Sequence, residues 1–329
     1  MSQYPDIRLR RLRQNPAIRN MLNAPAPRPE QFLWPVFVVD GENQKIAIDS
    51  MPHQYRMSID VLIQELEPVV QSGIGGIMLF GVIDDALKDS AGSYVYQQDG
   101  LVQRAVTAVR VAYPELLIFT DVCICGYTTH GHCGPLLEDG TVDNDASNEI
   151  LAKAAVSHAL AGAHGVAPSA MMDGQIRAIR TALAEANLSD TILMSYSTKF
   201  ASAMYGPFRD AADSSPQHGD RQSYQASYAD LNQALRESEL DEQEGADMLM
   251  VKPAMCYLDV IAKIRARSLL PLAAYNVSGE YSMLFATAER GWGDLYAMAR
   301  ENLMALSRAG TDIFISYWAN QYDQIFGDK

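Results

Sequence analysis

With 329 residues, 48% of them hydrophobic and 20% charged, the chain can bury one large core or two ordinary ones, and its balance is that of a globular enzyme. A net charge of −14, with no basic stripe in the body of the chain, excludes nucleic-acid backbone binding. No apolar run approaches the length of a membrane span, and no membrane partner is expected.

Residues 1–30 read as an arm. They carry the basic cluster Arg8-Leu-Arg10-Arg11-Leu-Arg13 and the Pro25-to-Pro29 stretch, with too few apolar residues for a core of their own. A basic start can announce a targeting segment, but Asn15-Pro16 follows here instead of an apolar signal core, and a cytoplasmic protein is expected. The four cysteines, Cys123, Cys125, Cys133 and Cys256, should then stay reduced, which turns them toward metal binding or catalysis.

Residues 31–329 show one regular alternation without an internal linker, predicting a single catalytic domain. Apolar, β-rich runs fall at 32–39, 75–82, 116–124, 164–168, 191–197, 247–252, 270–277 and 311–317. Helical spacing occupies 58–71, 97–112, 146–161, 173–186, 224–244, 257–267, 282–289 and 294–308. The first of these opens on Ser58 as an N-cap and repeats apolar residues at Ile59, Leu62, Ile63, Leu66, Val69 and Val70. Eight strands, all but the last followed by a helix, predict a parallel α/β sheet. Their number and the chain length favour a (β/α)8 TIM barrel over an open doubly wound sheet. A dinucleotide fold would place a Gly-rich turn after its first strand; Gly73-Ile-Gly75-Gly76 precedes a strand instead.

In such a barrel the reactive groups gather where strands end. Strand three ends in Asp121-Val-Cys123-Ile-Cys125, strand five leads to Lys199 and strand six ends in Lys252. Strand seven leads to Ser278 and Glu280, and strand eight to Tyr317. The chain has only seven lysines, and two share this placement. A buried ammonium without a partner tends to shed its proton, and a neutral amine near pH 7 attacks a ketone to form a Schiff base. The plain alternative is a stem packed on the sheet with its head in water. A pair of such lysines raises the question of two carbonyl substrates held at once.

The segment from Asp121 to Gly134 concentrates metal-capable side chains: Cys123, Cys125 and Cys133, with His130 and His132 between them. Three thiolates suit Zn²⁺ with a fourth position open for water or substrate; a closed structural site would take its fourth ligand from His130 or His132. Buried or redox-active thiols are the other readings of the same residues, and Cys256, in a different loop, reads as a core thiol. After Lys199 comes a long loop rich in Gly, Ser and Asp, the pattern of a lid. It contains Arg209 and Arg221, which suit bidentate capture of a carboxylate or are plain surface charge.

These residues carry a resemblance over nearly the whole chain. The motifs are Arg10-Arg11-Leu-Arg13, Asp121-Val-Cys-Ile-Cys-Gly-Tyr-Thr-Thr-His-Gly-His-Cys133-Gly, Ala167-Pro-Ser-Ala-Met-Met-Asp173-Gly and Tyr196-Ser-Thr-Lys199-Phe-Ala-Ser. Tyr205-Gly-Pro-Phe-Arg209, Met250-Val-Lys252-Pro-Ala and Tyr275-Asn-Val-Ser278-Gly-Glu-Tyr281 complete the set. Together they resemble the porphobilinogen synthase (δ-aminolevulinic acid dehydratase) family. The resemblance implies condensation of two 5-aminolevulinate molecules to porphobilinogen with loss of two waters, in tetrapyrrole synthesis. It implies that Lys252 forms a Schiff base with the substrate supplying the propionate side and Lys199 with the one supplying the acetate side. Arg209 and Arg221 would hold the acetate-side carboxylate, and Ser278 and Tyr317 the other.

The three cysteines put the chain with the zinc-dependent members, zinc on Cys123, Cys125 and Cys133, rather than with those that carry an aspartate-rich loop. Glu237 matches an allosteric Mg²⁺ position found in part of the family, and the arm resembles a subunit-embracing N-terminus, implying a homo-octamer. One departure concerns Ala170 and Gln175, where some members carry an acidic and a basic residue; it bears on local surface pairing and not on the chemistry. Two rival readings fit less of the chain. A class I aldolase needs one lysine and no thiolate site, and a non-catalytic zinc scaffold leaves the strand-end lysines and the lid without a purpose.

Overall fold

A computed structural model describes residues 3–327. Eight parallel strands close on themselves: β1 (Phe32–Val38), then, after a short antiparallel pair β2 (Lys45–Ala47) and β3 (Tyr55–Met57), β4 (Gly76–Gly81), β5 (Leu117–Val122), β6 (Gly165–Pro168), β7 (Ile192–Lys199), β8 (Met248–Lys252), β9 (Leu272–Asn276) and β10 (Ile313–Ser316). Closure comes from β10 pairing with β1, Phe32 opposite Phe314 and Leu33 opposite Ile315. The two phenylalanine rings stack at 5.0 Å across that seam. All seven residues of β1 are buried, as expected of a strand covered on both faces. The TIM barrel expected from the strand count is therefore present, with each predicted strand in place.

The helices are α1 (Pro16–Leu22), α2 (Ile59–Gln71), α3 (Leu101–Ala112), α4 (Asn144–Leu160), α5 (Gln175–Glu185), α6 (Gly206–Ala211), α7 (Leu231–Gln243), α8 (Leu258–Arg265), α9 (Ser278–Glu289), α10 (Leu295–Ala309) and α11 (Tyr322–Phe326). All but α1, α6 and α11 were marked by helical spacing. α9 starts four residues earlier than the spacing indicates, so Ser278 opens the helix. Ser58 occupies the N-cap position of α2 as expected, although its side chain makes no capping bond there. The glycine run before β4 serves packing: a Cβ on Gly75 would stand 2.2 Å from the Glu30 carbonyl oxygen, and one on Gly76 would stand 2.4 Å from that of Leu117.

Two local expectations are corrected. Ala170 and Gln175 are buried, so their identity concerns internal packing and not surface pairing. Gln175 accepts the Met172 N–H at 3.4 Å. Cys256 is exposed and not a core thiol, because it lies in a single-turn 3-10 segment just before α8.

In the arm, α1 and the 3-10 turn Leu9–Arg13 bury none of their residues. The Asn15 side chain caps α1 by accepting the Ile18 N–H at 3.0 Å. Tyr4, Ile7, Leu9, Leu12, Met21 and Leu22 all stand exposed.

Candidate active site

The lid expected after Lys199 does cover the barrel mouth. Its chain returns to β7, where the Ala226 N–H donates to the Lys199 carbonyl at 3.0 Å and the Ala201 N–H to the Ala226 carbonyl at 2.9 Å. Within it, α6 is gripped from the opposite side of the mouth. Arg56 of β3 donates through Nε to the Ala211 carbonyl at 2.8 Å and through its terminal nitrogen to that of Asp210, meeting the carbonyls that end the helix. Ser50 donates to the Asp210 carboxylate at 2.9 Å, and Lys88 pairs with Asp213 at 2.6 Å.

Beneath the lid, Asp121, Cys123, Cys125, Ser169, Lys199, Phe208, Ser214, Arg221 and Lys252 line one cavity. Its free volume is about 40 Å³, room for a few waters, so the arrangement is closed. A wider groove of about 1130 Å³ runs over α3 and α4, but no strand end reaches it, and size alone does not mark the site.

Both lysines are buried, and they come from adjacent strands in direct register. Lys199 Nζ donates to the Ser169 carbonyl at 2.5 Å. Lys252 Nζ instead faces rings, with the centroids of Tyr275 at 4.1 Å, Phe208 at 4.7 Å, Tyr196 at 5.1 Å and Tyr205 at 5.5 Å. Burial, and then the neighbouring Lys199 charge, push the Lys252 amine from 10.5 down to about 7. Asp121 lies in the same cavity with Oδ1 unpartnered, its carboxyl pushed up by burial and drawn back by the two lysines. Spacing pointed to the end of strand three but gave Asp121 no role. The signal was its place one turn of the strand pleat before Cys123.

The sulfurs of Cys123, Cys125 and Cys133 all lie within 4.8 Å of one another, and no other group of three or more His, Cys, Asp or Glu comes as close among the described residues. Cys123 and Cys125 sulfurs are 3.4 Å apart, and all three thiols are free. Contacts with Cys123 and then Cys125 pull the Cys133 thiol down, while contacts with Cys125 and then Cys133 push Cys123 up. Three free thiols packed this closely are a ready metal acceptor once they release their protons. Three sulfurs around a tetrahedral Zn²⁺, each about 2.3 Å from it, would stand about 3.8 Å apart. The trio fits a soft-metal site. Neither histidine joins it: His132 uses Nδ1 with the Tyr224 hydroxyl and Nε2 with the His218 carbonyl, and His130 uses Nε2 with the Ser90 carbonyl. Three sulfurs without a histidine would leave the fourth position of a tetrahedral ion to water or substrate, the pattern of catalytic metal sites.

Arg221 is buried and donates to the Gly131 carbonyl at 3.0 Å and to the Ser214 carbonyl, leaving Nε unpartnered. Arg209, on α6, also has an unpartnered buried Nε, and it is pushed down first by burial and then by Arg221. Among the described residues neither guanidinium pairs with a carboxylate. Two cations held together without an anion suit a ligand carboxylate better than the surface-charge reading. Gln225, next to the strand-like contact with Lys199, is buried with both amide atoms unpartnered; nothing in its sequence context singled it out.

Ser278 and Tyr317 are both buried at the mouth. Ser278 Oγ accepts the Phe208 N–H of the lid at 2.9 Å, and the Tyr317 hydroxyl meets that of Tyr275 at 3.3 Å, under Lys252. Glu237, by contrast, lies on α7 outside the barrel, half-buried. Its carboxyl is pushed up by burial and then by Asp173, away from the cavity.

Closed parallel strands, buried register-paired amines and a thiol trio at one mouth define a (β/α)8-barrel enzyme that carries an amine pair beside a metal-capable site. The profile of the delta-aminolevulinic acid dehydratase family matches residues 6–325. Delta-aminolevulinic acid dehydratase of Synechococcus elongatus is 48% identical over 319 residues, covering 96% of this chain and 97% of that protein. The enzyme of Halalkalibacterium halodurans is 47% identical over 312 residues, covering 95% and 94%. A crystal structure of delta-aminolevulinic acid dehydratase (porphobilinogen synthase) from Toxoplasma gondii, in complex with the reaction product porphobilinogen, superposes with a TM-score of 0.94 at 42% identity. It covers 97% of this chain and 91% of that one. The chain belongs to the delta-aminolevulinic acid dehydratase family, and it is a lyase. The aldolase and scaffold readings fall with that result.

Proposed function

We propose that the chain condenses two molecules of 5-aminolevulinate to porphobilinogen with loss of two waters, the step that makes the first pyrrole of tetrapyrrole synthesis. The observation that carries this reading is the pair Lys199 and Lys252, buried side by side in register at one barrel mouth. Each amine attacks the ketone of one substrate molecule, and each imine formed releases one water. Lys252 is suited to be a nucleophile, because burial and then the Lys199 charge lower its pKa to about 7 and leave a large share of it neutral near pH 7. It takes the propionate-side molecule, whose carboxylate meets Ser278 and Tyr317. Lys199 takes the acetate-side molecule, and Arg209 with Arg221 hold that carboxylate, a role that their unmatched charge supports. Asp121, in the same cavity as both amines and with its carboxyl pushed up by burial, is suited to move protons as bonds form.

Cys123, Cys125 and Cys133 would hold a zinc ion, which supplies Lewis-acid polarisation and orients the acetate-side amine. Glu237, with Asp173, Asp241 and Glu244 close by, is the candidate anchor of an allosteric Mg²⁺. Burial, and after it the neighbouring carboxylates Glu244, Glu237 and Asp173, pushes Asp241 up to about 7, and a divalent cation there would relieve the repulsion. Residues 1–30 act as a subunit-contact arm on the catalytic barrel 31–329 in a homo-octamer. The exposed apolar residues on the arm, from Tyr4 to Leu22, favour a partner surface over solvent. Residues 1–2 and 328–329 lie outside the described residues. No helix of the described residues is long and apolar enough to cross a membrane, in keeping with a cytoplasmic enzyme.

Borohydride trapping with 5-aminolevulinate tests this. Mass mapping should find reduced adducts on Lys252 and Lys199, and an unlabelled pair of lysines would sink the mechanism.

A further inference from the structure

Glu280 is wholly buried, and its carboxylate accepts four hydrogen bonds from two different strand ends. One oxygen takes the Ala254 N–H at 3.1 Å and the Met255 N–H at 2.6 Å, both in the loop that follows Lys252. The other takes the Val277 N–H at 3.0 Å and the Asn276 side-chain amide at 3.0 Å, both just before Ser278. The chain of contacts continues to a third strand: Ser316 donates to Asn276 Oδ1 at 3.1 Å, and the Trp318 N–H donates to Ser316 Oγ at 3.3 Å, bracketing Tyr317. One carboxylate thus ties the ends of β8, β9 and β10, each within two residues of Lys252, Ser278 or Tyr317.

We propose that Glu280 is the positioning residue of the site shared by Lys252, Ser278 and Tyr317, fixing their spacing through the backbone segments that carry them. The proposal rests on the reading that those three side chains hold one substrate molecule. The bland alternative is a helix cap, since Glu280 is the third residue of α9 and the Val277 bond is a capping bond. A cap, however, needs only that one contact, and three of the four bonds involve groups outside the helix. Burial pushes the Glu280 carboxyl up to about 7 even against its four donors. A charge kept in so costly a place, with no cation beside it, is out of proportion to a cap that a glutamine would serve.

Glu280→Gln in the metal-loaded full-length enzyme separates the two. The glutamine amide nitrogen cannot accept, so one of the two strand-end segments loses its partner. The probe is 5-aminolevulinate with borohydride: the lysine amine and the ketone lose water to form an imine, hydride adds to the imine carbon, and a solvent proton completes a stable secondary amine. Labelling at Lys252 should slow about tenfold while labelling at Lys199 keeps its rate, and kcat/KM should fall about 10²-fold. Asp312→Asn is the control for a loosened barrel. Asp312 sits at the opposite end, accepting the Leu272 N–H at 2.9 Å and pairing with Arg265 at 2.7 Å. It should lower Tm without changing the ratio of label on the two lysines.

Should Glu280→Gln fail to fold, Ser316→Ala cuts the same network at its far end and should bias labelling the same way. Unchanged Lys252 labelling overturns the proposal, and so does equal slowing at both lysines. Absence of any Lys252 adduct in the wild type overturns the shared-site reading beneath it, a result distinguishable from the other two.

Discussion

Lys199 and Lys252 stand Cα opposite Cα across parallel strands only because β7 carries an irregularity between Ser195 and Thr198. Ser195 pairs with Leu249; a regular ladder would then set Thr198, not Lys199, opposite Lys252. The side chains record the extra residue. Ser197 and Thr198, consecutive in sequence, both reach Ser238 of the outer helix α7, Ser238 Oγ lying 3.2 Å from Ser197 Oγ and 2.8 Å from Thr198 Oγ1. Tyr196 and Lys199 on either side of them turn the other way, and the Tyr196 ring centroid lies 5.6 Å from Lys199 Nζ and 5.1 Å from Lys252 Nζ. Without the bulge Lys199 would point into the helix layer, so a local backbone irregularity aims the second amine.

Lys252→Met tests what the amine opposite Lys199 does for the fold and for the chemistry. The folded-state pKa of about 7 lies below the unfolded value of 10.5. Above pH 10.5 the amine is neutral in both states and costs nothing on this account; as pH falls toward 7 the unfolded chain gains the proton first, and stability declines. Replacing even a buried ion pair by apolar side chains of similar volume is often neutral or stabilising by about 1–4 kcal/mol, and a buried amine with no carboxylate on it has less to lose. The variant is therefore expected to lose turnover by about 10⁴-fold or more and to melt at a higher temperature than the wild type at pH 7. Equal or lower Tm, measured by calorimetry, would show that the cage does not destabilise the amine.

The pH dependence of trapping follows from the same balance. The neutral amine reacts, so the rate of labelling at Lys252 should rise with pH through about 7. Attraction of the ammonium to the four rings opposes burial, and each ~2 kcal/mol of it moves the midpoint upward by about 1.5 pH units. Lys199→Met removes the second cause of the shift and leaves the first, so the midpoint should climb but remain well below 10.5. A midpoint at 10 or above in the wild type contradicts the buried, depressed amine.

Much of this site was legible in the sequence, and the reasons differ by residue. Strand ends in a parallel barrel point the same way, so the cysteine segment, both lysines, Ser278 and Tyr317 were bound to meet once eight strands were counted. The bulge in β7 was not legible, because Ser-Tyr-Ser-Thr alternates well enough to pass for a regular strand. Arg56 was missed for another reason: its grip on α6 joins residues 155 positions apart, and nothing local marks it. Cys256 was misplaced because an apolar neighbourhood in sequence does not reveal which side of a single turn faces water.

Metal removal should abolish turnover and zinc should restore it. A second readout is independent of activity. With the metal absent, Cys123, Cys125 and Cys133 should add to the thiols that react with a disulfide reagent once the lid is unfolded under mild denaturant, and zinc should protect these three and leave Cys256 reactive. Full activity after exhaustive chelation contradicts the thiolate site.

Glu237→Ala should blunt stimulation by Mg²⁺ while zinc dependence stays as in the wild type. The distance between the two functions is structural: Glu237 faces Asp173 outside the barrel, whereas the thiols lie within the mouth. Steady-state kinetics against each metal in turn gives the answer, and an unchanged Mg²⁺ response would remove Glu237 from that role.

Deleting residues 1–25 asks whether the arm serves assembly alone. Its short helix and the 3-10 turn before it bury nothing on their own barrel, and the arm exposes Ile7, Leu9, Leu12, Met21 and Leu22 beside five arginines. Leaving such a surface in water is unfavourable by roughly 25 cal/mol for each Å² of apolar area, which a neighbouring subunit can cover. The chain continues into ordered contacts only near Pro27, whose carbonyl accepts the Tyr322 hydroxyl at 2.9 Å, so the cut should leave the barrel folded. Light scattering after size-exclusion chromatography should therefore find a smaller assembly with a Tm close to that of the full chain. An unchanged mass would mean that the barrels associate through other faces and that the arm has a different partner.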